Sequence, residues 1–157
     1  GGVAVRAFQP GAGKLHDLPF PADPGSLGFE TRSFTTNFCD LHLDIAKLQD
    51  DSLVYYACRF NCPSSMQLAL LLGYDGPVKA WLDGREIAHD PDGINPAVST
   101  KCAAPFKAAA GTHELVVALG TNNNAAWGIF LRLERLNVPK RQLLNRPETI
   151  AMPEILG

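Results

Sequence analysis

An antiparallel β-sandwich of jelly-roll type is the all-β fold this sequence predicts, and three observations predict it. Apolar residues recur at alternate positions in one short run after another. Clusters of Gly, Asn, Asp and Pro separate the runs, with no long helical pattern between them. No internal repeat at a fixed period is visible, which weighs against a propeller or a solenoid. At 157 residues, 46% hydrophobic and 19% charged, the chain suits one core and is short for two. One domain over residues 1–157 is therefore expected.

The first residues, "GGVAVRAF", lack the charged and apolar regions of a signal peptide. Residues 9–26, "QPGAGKLHDLPFPADPGS", are rich in Pro and Gly and predict a long irregular connection. "LGFETRSF" alternates as a strand. "FCDLHLDI" alternates too, but Leu41, Ile45 and Leu48 suit a helical face equally well.

"LVYYACRF" sets Val54, Tyr56, Cys58 and Phe60 against Tyr55, Ala57 and Arg59. "MQLALLLG" places Met66, Leu68, Leu70 and Leu72 on one face, with Ala69 and Leu71 on the other, so it predicts a central strand. "VKAWLDGREIAH" puts Asp83-Gly84 between two short runs, the signature of a two-residue hairpin. "HELVVALG" and "AWGIFLRLE" repeat the alternation, and Trp127 shares a face with Ile129, Leu131 and Leu133, so core packing is expected of it. From about residue 138 the tail alternates little and carries three prolines, predicting an extended or loosely packed segment.

The chemistry suggested by isolated motifs fails on inspection. "GAGK" at 11–14 has Phe8 and Leu15 where a phosphate loop needs Gly and Ser or Thr. His113-Glu114 begins like a zinc-protease helix, but Val117 stands where the second His belongs. His42 and Asp44 alternate as solvated polar residues would. No nucleophile elbow surrounds Ser64, Ser65 or Ser99. A net charge of −2, with only Lys140, Arg141 and Arg146 grouped near the end, argues against a nucleic-acid partner. No apolar run is long enough to span a bilayer, so no membrane partner is expected.

Cys39, Cys58, Cys62 and Cys102 follow no zinc spacing. Extended chain would hold the α-carbons of Cys58 and Cys62 ~13 Å apart, beyond the roughly 7 Å reach of a disulfide. Buried free thiols and a disulfide in an exported protein both remain open. Asp90, Asp92 and Asn95 are spaced like the start of a calcium loop, with an Asx-turn as the alternative. No other cofactor is expected.

"VYYACRFNCP", "LLLGYDGPVKAWLDGREI" and "GTHELVVALGTNNNAAWGIFLRL" form an ordered set. Over about residues 53–134 it resembles the galactose-binding-domain-like jelly rolls found beside catalytic domains in bacterial glycoside hydrolases and sugar esterases. The resemblance implies a non-catalytic carbohydrate-binding module of a larger secreted polysaccharide-processing enzyme, placed outside the cell, in the periplasm or at the cell surface. Its partners would be a polysaccharide or oligosaccharide and a catalytic domain of the same parent chain. The alternative is a structural accessory domain that packs on a catalytic partner and binds no ligand; a jelly-roll hydrolase is the remaining class. The Tyr74-Asp75 turn, the Trp81 hairpin and the loop at Asn122 and Asn123 are expected to converge at one end of the sandwich. There, with Tyr74 at the turn, Trp81 would supply the stacking face, Asp75 and Asn122 or Asn123 hydroxyl contacts, and Lys79 or Arg85 contacts to an anionic sugar. The competing expectation has Trp81 filling a groove and the asparagines satisfying turn backbone.

Overall fold

The computed structural model describes residues 2–10, 15, 18–21, 24–48 and 52–156, with the backbone path alone for 2–10 and 24–25. The strands in chain order are β1 (Gly2–Pro10), β2 (Glu30–Ser33), β3 (Phe38–Asp40), β4 (Ser52–Cys62), β5 (Met66–Tyr74) and β6 (Val78–Leu82). They continue with β7 (Arg85–Asp90), β8 (Cys102–Ala108), β9 (Gly111–Gly120), β10 (Gly128–Arg135) and β11 (Glu154–Ile155). Two short helices, α1 (His42–Ile45) and α2 (Lys140–Asn145), interrupt them. One sheet runs β2-β1-β4-β9-β6-β7, with β11 also on β4, and the other runs β3-β10-β5-β8. Every pairing is antiparallel, so the expected sandwich is present.

Alternation decides what lies between the sheets. Val54, Tyr56, Cys58 and Phe60 on β4, with Leu115, Val117 and Leu119 on β9, face Leu68, Leu70, Leu72 and Ile129 of the second sheet. The "MQLALLLG" strand is interior, between β10 and β8. Pro105 falls on β8, an edge strand, where its missing N–H breaks no inner ladder. The other face of the larger sheet is buried as well. Leu53, Tyr55, Ala57, Trp81, Val116 and Ala118 form a second apolar cluster, closed by Leu15, Leu18, Phe20, Leu27 and Phe29. Burial on both faces explains why β4 and β9 read as nearly continuous apolar runs.

Several expectations are corrected. Gln9 and Pro10 end β1, so the irregular connection starts later, and its described apolar residues form a cover over the larger sheet. The ambiguous segment at 38–45 is strand and then helix, β3 followed by α1. The tail is not simply extended: it holds α2, a 3-10 turn at Pro147–Thr149 and β11. Trp127 is not in the core. It precedes β10 and is 55% exposed, so the alternation of Ile129, Leu131 and Leu133 does not reach it.

All four cysteines are free thiols. Cys58 and Cys62 lie along one strand, and burial pushes the thiols of Cys39 and Cys58 up to about 12, which keeps them protonated and unreactive.

The Asp83-Gly84 hairpin forms as expected, with both residues at positive φ, 49° and 79°. Replacing Gly84 by Val forces a β-branched side chain into that region. Gly84→Val should therefore lower the urea midpoint, by an amount equivalent to roughly 1–3 kcal/mol, with its slope unchanged.

The same hairpin holds His113. Its Nδ1 lies 2.7 Å from Asp83 Oδ2, and its Nε2 lies 2.9 Å from the Ala109 carbonyl oxygen. Two oxygen acceptors call for a proton on each nitrogen, the imidazolium form. Burial alone would lower the pKa of His113, but the Ala109 carbonyl and the Asp83 carboxylate outweigh it and raise it. A raised folded-state value stabilises the fold fully below the unfolded pKa near 6.5, and that contribution is lost as pH rises through the folded value. His113→Gln should flatten this part of the stability profile in denaturant melts across pH 5 to 9 (a roughly chosen range bracketing ordinary His titration).

Candidate aromatic cleft at one end of the sandwich

The turn after β5 and the loop before β10 meet through Asp75. This side chain is only 3% exposed, and its carboxylate accepts the backbone N–H of Trp127 at 2.7 Å and of Gly128 at 3.3 Å. Burial raises its pKa, while these N–H donors, its own backbone N–H and the charge of Lys101 act in the opposite direction.

The loop itself is built from a backbone few residues tolerate. Asn122, Asn123 and Asn124 have φ of 52°, 53° and 65°, three successive left-handed residues. Asn is the side chain best suited to this after Gly, which gives "NNN" its physical meaning. Asn122 Nδ2 donates to the Asp75 carbonyl at 3.2 Å and Asn124 Nδ2 to the Leu48 carbonyl at 2.7 Å. Below the loop, Ser52 and Thr121 exchange hydrogen bonds of 2.9 Å.

Trp127 is thereby held at a surface cleft of about 420 Å³, lined by Phe38, Asp75, Asn95, Pro96, Ala97, Trp127 and Phe130. Phe38 and Phe130 pair across β3 and β10 with ring centroids 4.5 Å apart. One face of the indole stacks on His42 at 4.5 Å and 23°. His42 is in turn placed by Asp40, whose Oδ1 lies 2.6 Å from His42 Nδ1 and accepts the His42 backbone N–H at 2.9 Å. Asp75 therefore positions Trp127 from one side and His42 supports it from the other.

The structure brings together only part of the expected site. Asp75 and Asn122 are in contact, with Asn123 exposed on the same loop. The Trp81 hairpin lies at the other end. Val78 begins β6 beside the Pro77–Gly120 contact, whereas Asp83 ends it against Glu114. Trp81 is 2% exposed and meets Phe20 edge-on at 6.0 Å, so its ring face is covered. Lys79 is also buried, its Nζ donating to the Leu18 carbonyl at 2.8 Å and lying 3.4 Å from Glu86. Arg85 is exposed on the distant hairpin. Tyr74 is buried and donates its hydroxyl to Asp90 Oδ2 at 2.6 Å; burial, reinforced by Asp90, raises its pKa.

Asp90 Oδ1 accepts the Asp92 backbone N–H at 3.0 Å, an Asx-turn, while Asn95 donates to the Ala125 carbonyl at 3.4 Å. Among the described residues no three His, Cys, Asp or Glu side chains gather as metal ligands, and no helix is long and apolar enough to cross a membrane.

Sequence reasoning missed Trp127, Phe38 and Phe130. The local signal was Gly128 directly after Trp127, a residue that marks a close backbone approach: a Cβ there would stand 2.1 Å from the Cys39 carbonyl oxygen.

The left-handed loop makes its own prediction. Asn123→Ala should cost roughly 1–2 kcal/mol in chemical denaturation, and Asn123→Gly, which adopts the left-handed backbone without strain, should cost less than the Ala variant.

No protein-family model matches the chain, and no curated protein matches it in sequence. Among solved structures it is similar to a β-glucosidase from Kluyveromyces marxianus, with TM-score 0.58, 12% identity, and coverage of 94% of this chain and 17% of that one. The same enzyme in complex with glucose gives TM-score 0.57 and 13% identity over 93% of this chain and 17% of that one. The PA14 domain of the MpAFP antifreeze protein gives TM-score 0.50 and 10% identity over 87% and 81%. The chain thus spans 17% of the length of the β-glucosidase chains it matches. What these likenesses share with it is the fold, a two-sheet antiparallel β-sandwich.

Proposed function

We propose that this chain is a non-catalytic carbohydrate-binding module of a larger polysaccharide-processing enzyme, acting outside the cell, in the periplasm or at the cell surface, and that its glycan binds at the Trp127 cleft. One observation carries the reading: a tryptophan is clamped in place by a buried carboxylate, yet left more than half exposed beside two further aromatic rings. An aromatic ring offers a flat apolar face to the C–H face of a sugar, and Asp75 and Asn95 add acceptor and donor groups at the same cleft. The sequence resemblance to galactose-binding-domain-like modules supports this reading. So does the occurrence of the fold within a β-glucosidase.

A second reading has a specific observation in its favour. Leu144 on α2 is 82% exposed, and Leu143, Met152, Ile155 and Leu156 of the same tail are exposed too, as on a domain that packs on a catalytic partner.

The two readings separate by titration. In a Trp81→Phe background, Trp127 is the sole tryptophan, so a glycan panel followed by fluorescence reports on the cleft alone. A bound glycan should lose at least about 30-fold in affinity in Trp127→Ala, equivalent to the roughly 2 kcal/mol of an interface hot spot. Melting of that variant should match the parent, because the removed ring is at the surface. Silence across the panel would favour the packing reading, and full affinity in Trp127→Ala would move the site elsewhere.

A further inference from the structure

We infer that Asp75 makes the cleft selective for uncharged glycans and closes it to uronates and sulfated sugars. This rests on the carbohydrate reading and adds the charge class of the ligand. Among the described residues lining the cleft there is one charged side chain, the Asp75 carboxylate, and no Lys, Arg or His. Asp40, opposite Gly128 in the ladder, holds its carboxylate 2.6 Å from Nδ1 of His42, the ring stacked on Trp127, so this pair lies outside the cleft lining.

The nearby Lys and Arg side chains lie outside the cleft lining, although the charge of Lys101 is felt at Asp75. Lys101 Nζ hydrogen-bonds the Ile94 carbonyl and sits 5.3 Å from the Tyr74 ring centroid. Arg132, two residues beyond Phe130, lines a separate groove with Leu133 and Met152. Lys79 is buried under the cover of the other sheet, which removes the group that sequence reasoning offered to an anionic sugar.

An anionic ring placed on Trp127 would bring its charge toward a carboxylate in a low-dielectric setting. Among the described residues lining the cleft, no Lys or Arg is placed to offset that repulsion. A neutral ring meets no such barrier, because its hydroxyls can donate to the lone pairs of Asp75 that Trp127 and Gly128 leave open. The same carboxylate therefore fixes the stacking ring and filters the ligand by charge.

Calorimetric titration with matched pairs tests this: cello-, manno- and galacto-oligosaccharides against their C6-oxidised, uronate counterparts. For any pair in which a member binds, the neutral one should be tighter by at least about tenfold, with the gap shrinking at high salt. Asp75→Asn should narrow the gap. Because that change also touches the loop clamp, Ala97→Lys supplies a second variant, which places a cation on the cleft wall and should improve uronate binding. A uronate that binds as tightly as its neutral partner, or an unchanged gap in a folded Ala97→Lys protein, overturns the inference. If no member of any pair binds, the carbohydrate reading fails and takes the inference with it.

Discussion

The arrangement of this end of the molecule depends on one buried carboxylate. Asp75 accepts the N–H groups of Trp127 and Gly128, and in doing so ties the turn after one strand of the smaller sheet to the start of its neighbour. Taking a carboxylate out of water is costly unless donors meet it, and charge-assisted bonds to backbone N–H groups are the stronger kind. Around the clamp the backbone comes so close that side chains are excluded: a Cβ on Gly76 would stand 2.1 Å from the Gly120 carbonyl oxygen, and one on Gly93 would stand 2.3 Å from that of Gly76. The clamp, the glycines and the left-handed asparagines form one unit, with Trp127 at its edge.

The two tryptophans illustrate how burial assigns roles to identical side chains. Trp81 sits on the outer face of the larger sheet, a face that would be wet in an ordinary sandwich. Here Leu15, Leu18, Phe20, Leu27 and Phe29 pack over it, making a third layer. Trp81 is therefore a cornerstone of that layer, and Lys79 beside it spends its ammonium on the Leu18 carbonyl and Glu86. Trp127 has no such cover. One face of its ring stacks on His42, and the side chain stays 55% exposed.

Recognition on a β-sandwich falls to loops that the sheets hold rigid, since the strands are spent on the core. The proposed site would follow that logic with a variation. The cleft is formed partly by loops, through Asp75, Trp127 and Asn95, and partly by the outer face of the smaller sheet, through Phe38 and Phe130. Rings standing on paired strands move less than rings on loops, so a platform mounted this way loses little freedom on binding.

Much of the fold was legible in the sequence because it is written with a period of two. Leu68, Leu70 and Leu72 could face only one way, and Asp83-Gly84 could hardly be other than a tight hairpin, since both properties depend on neighbours in the chain. The turn-forming character of "TNNN" was legible for the same reason. The covering of the larger sheet was not, because it joins Leu15, Leu18, Phe20, Leu27 and Phe29 to strands far along the chain, and nothing local in "KLHDLPFP" says which surface its leucines and phenylalanine will find. The choice of Trp127 over Trp81 was decided in the same way. Alternation alone put Trp127 in the core, and the tertiary structure reversed this: a distant segment covered Trp81 on the outer face of the larger sheet, while Trp127, its N–H held by a carboxylate some fifty residues earlier, stands before β10 and is exposed.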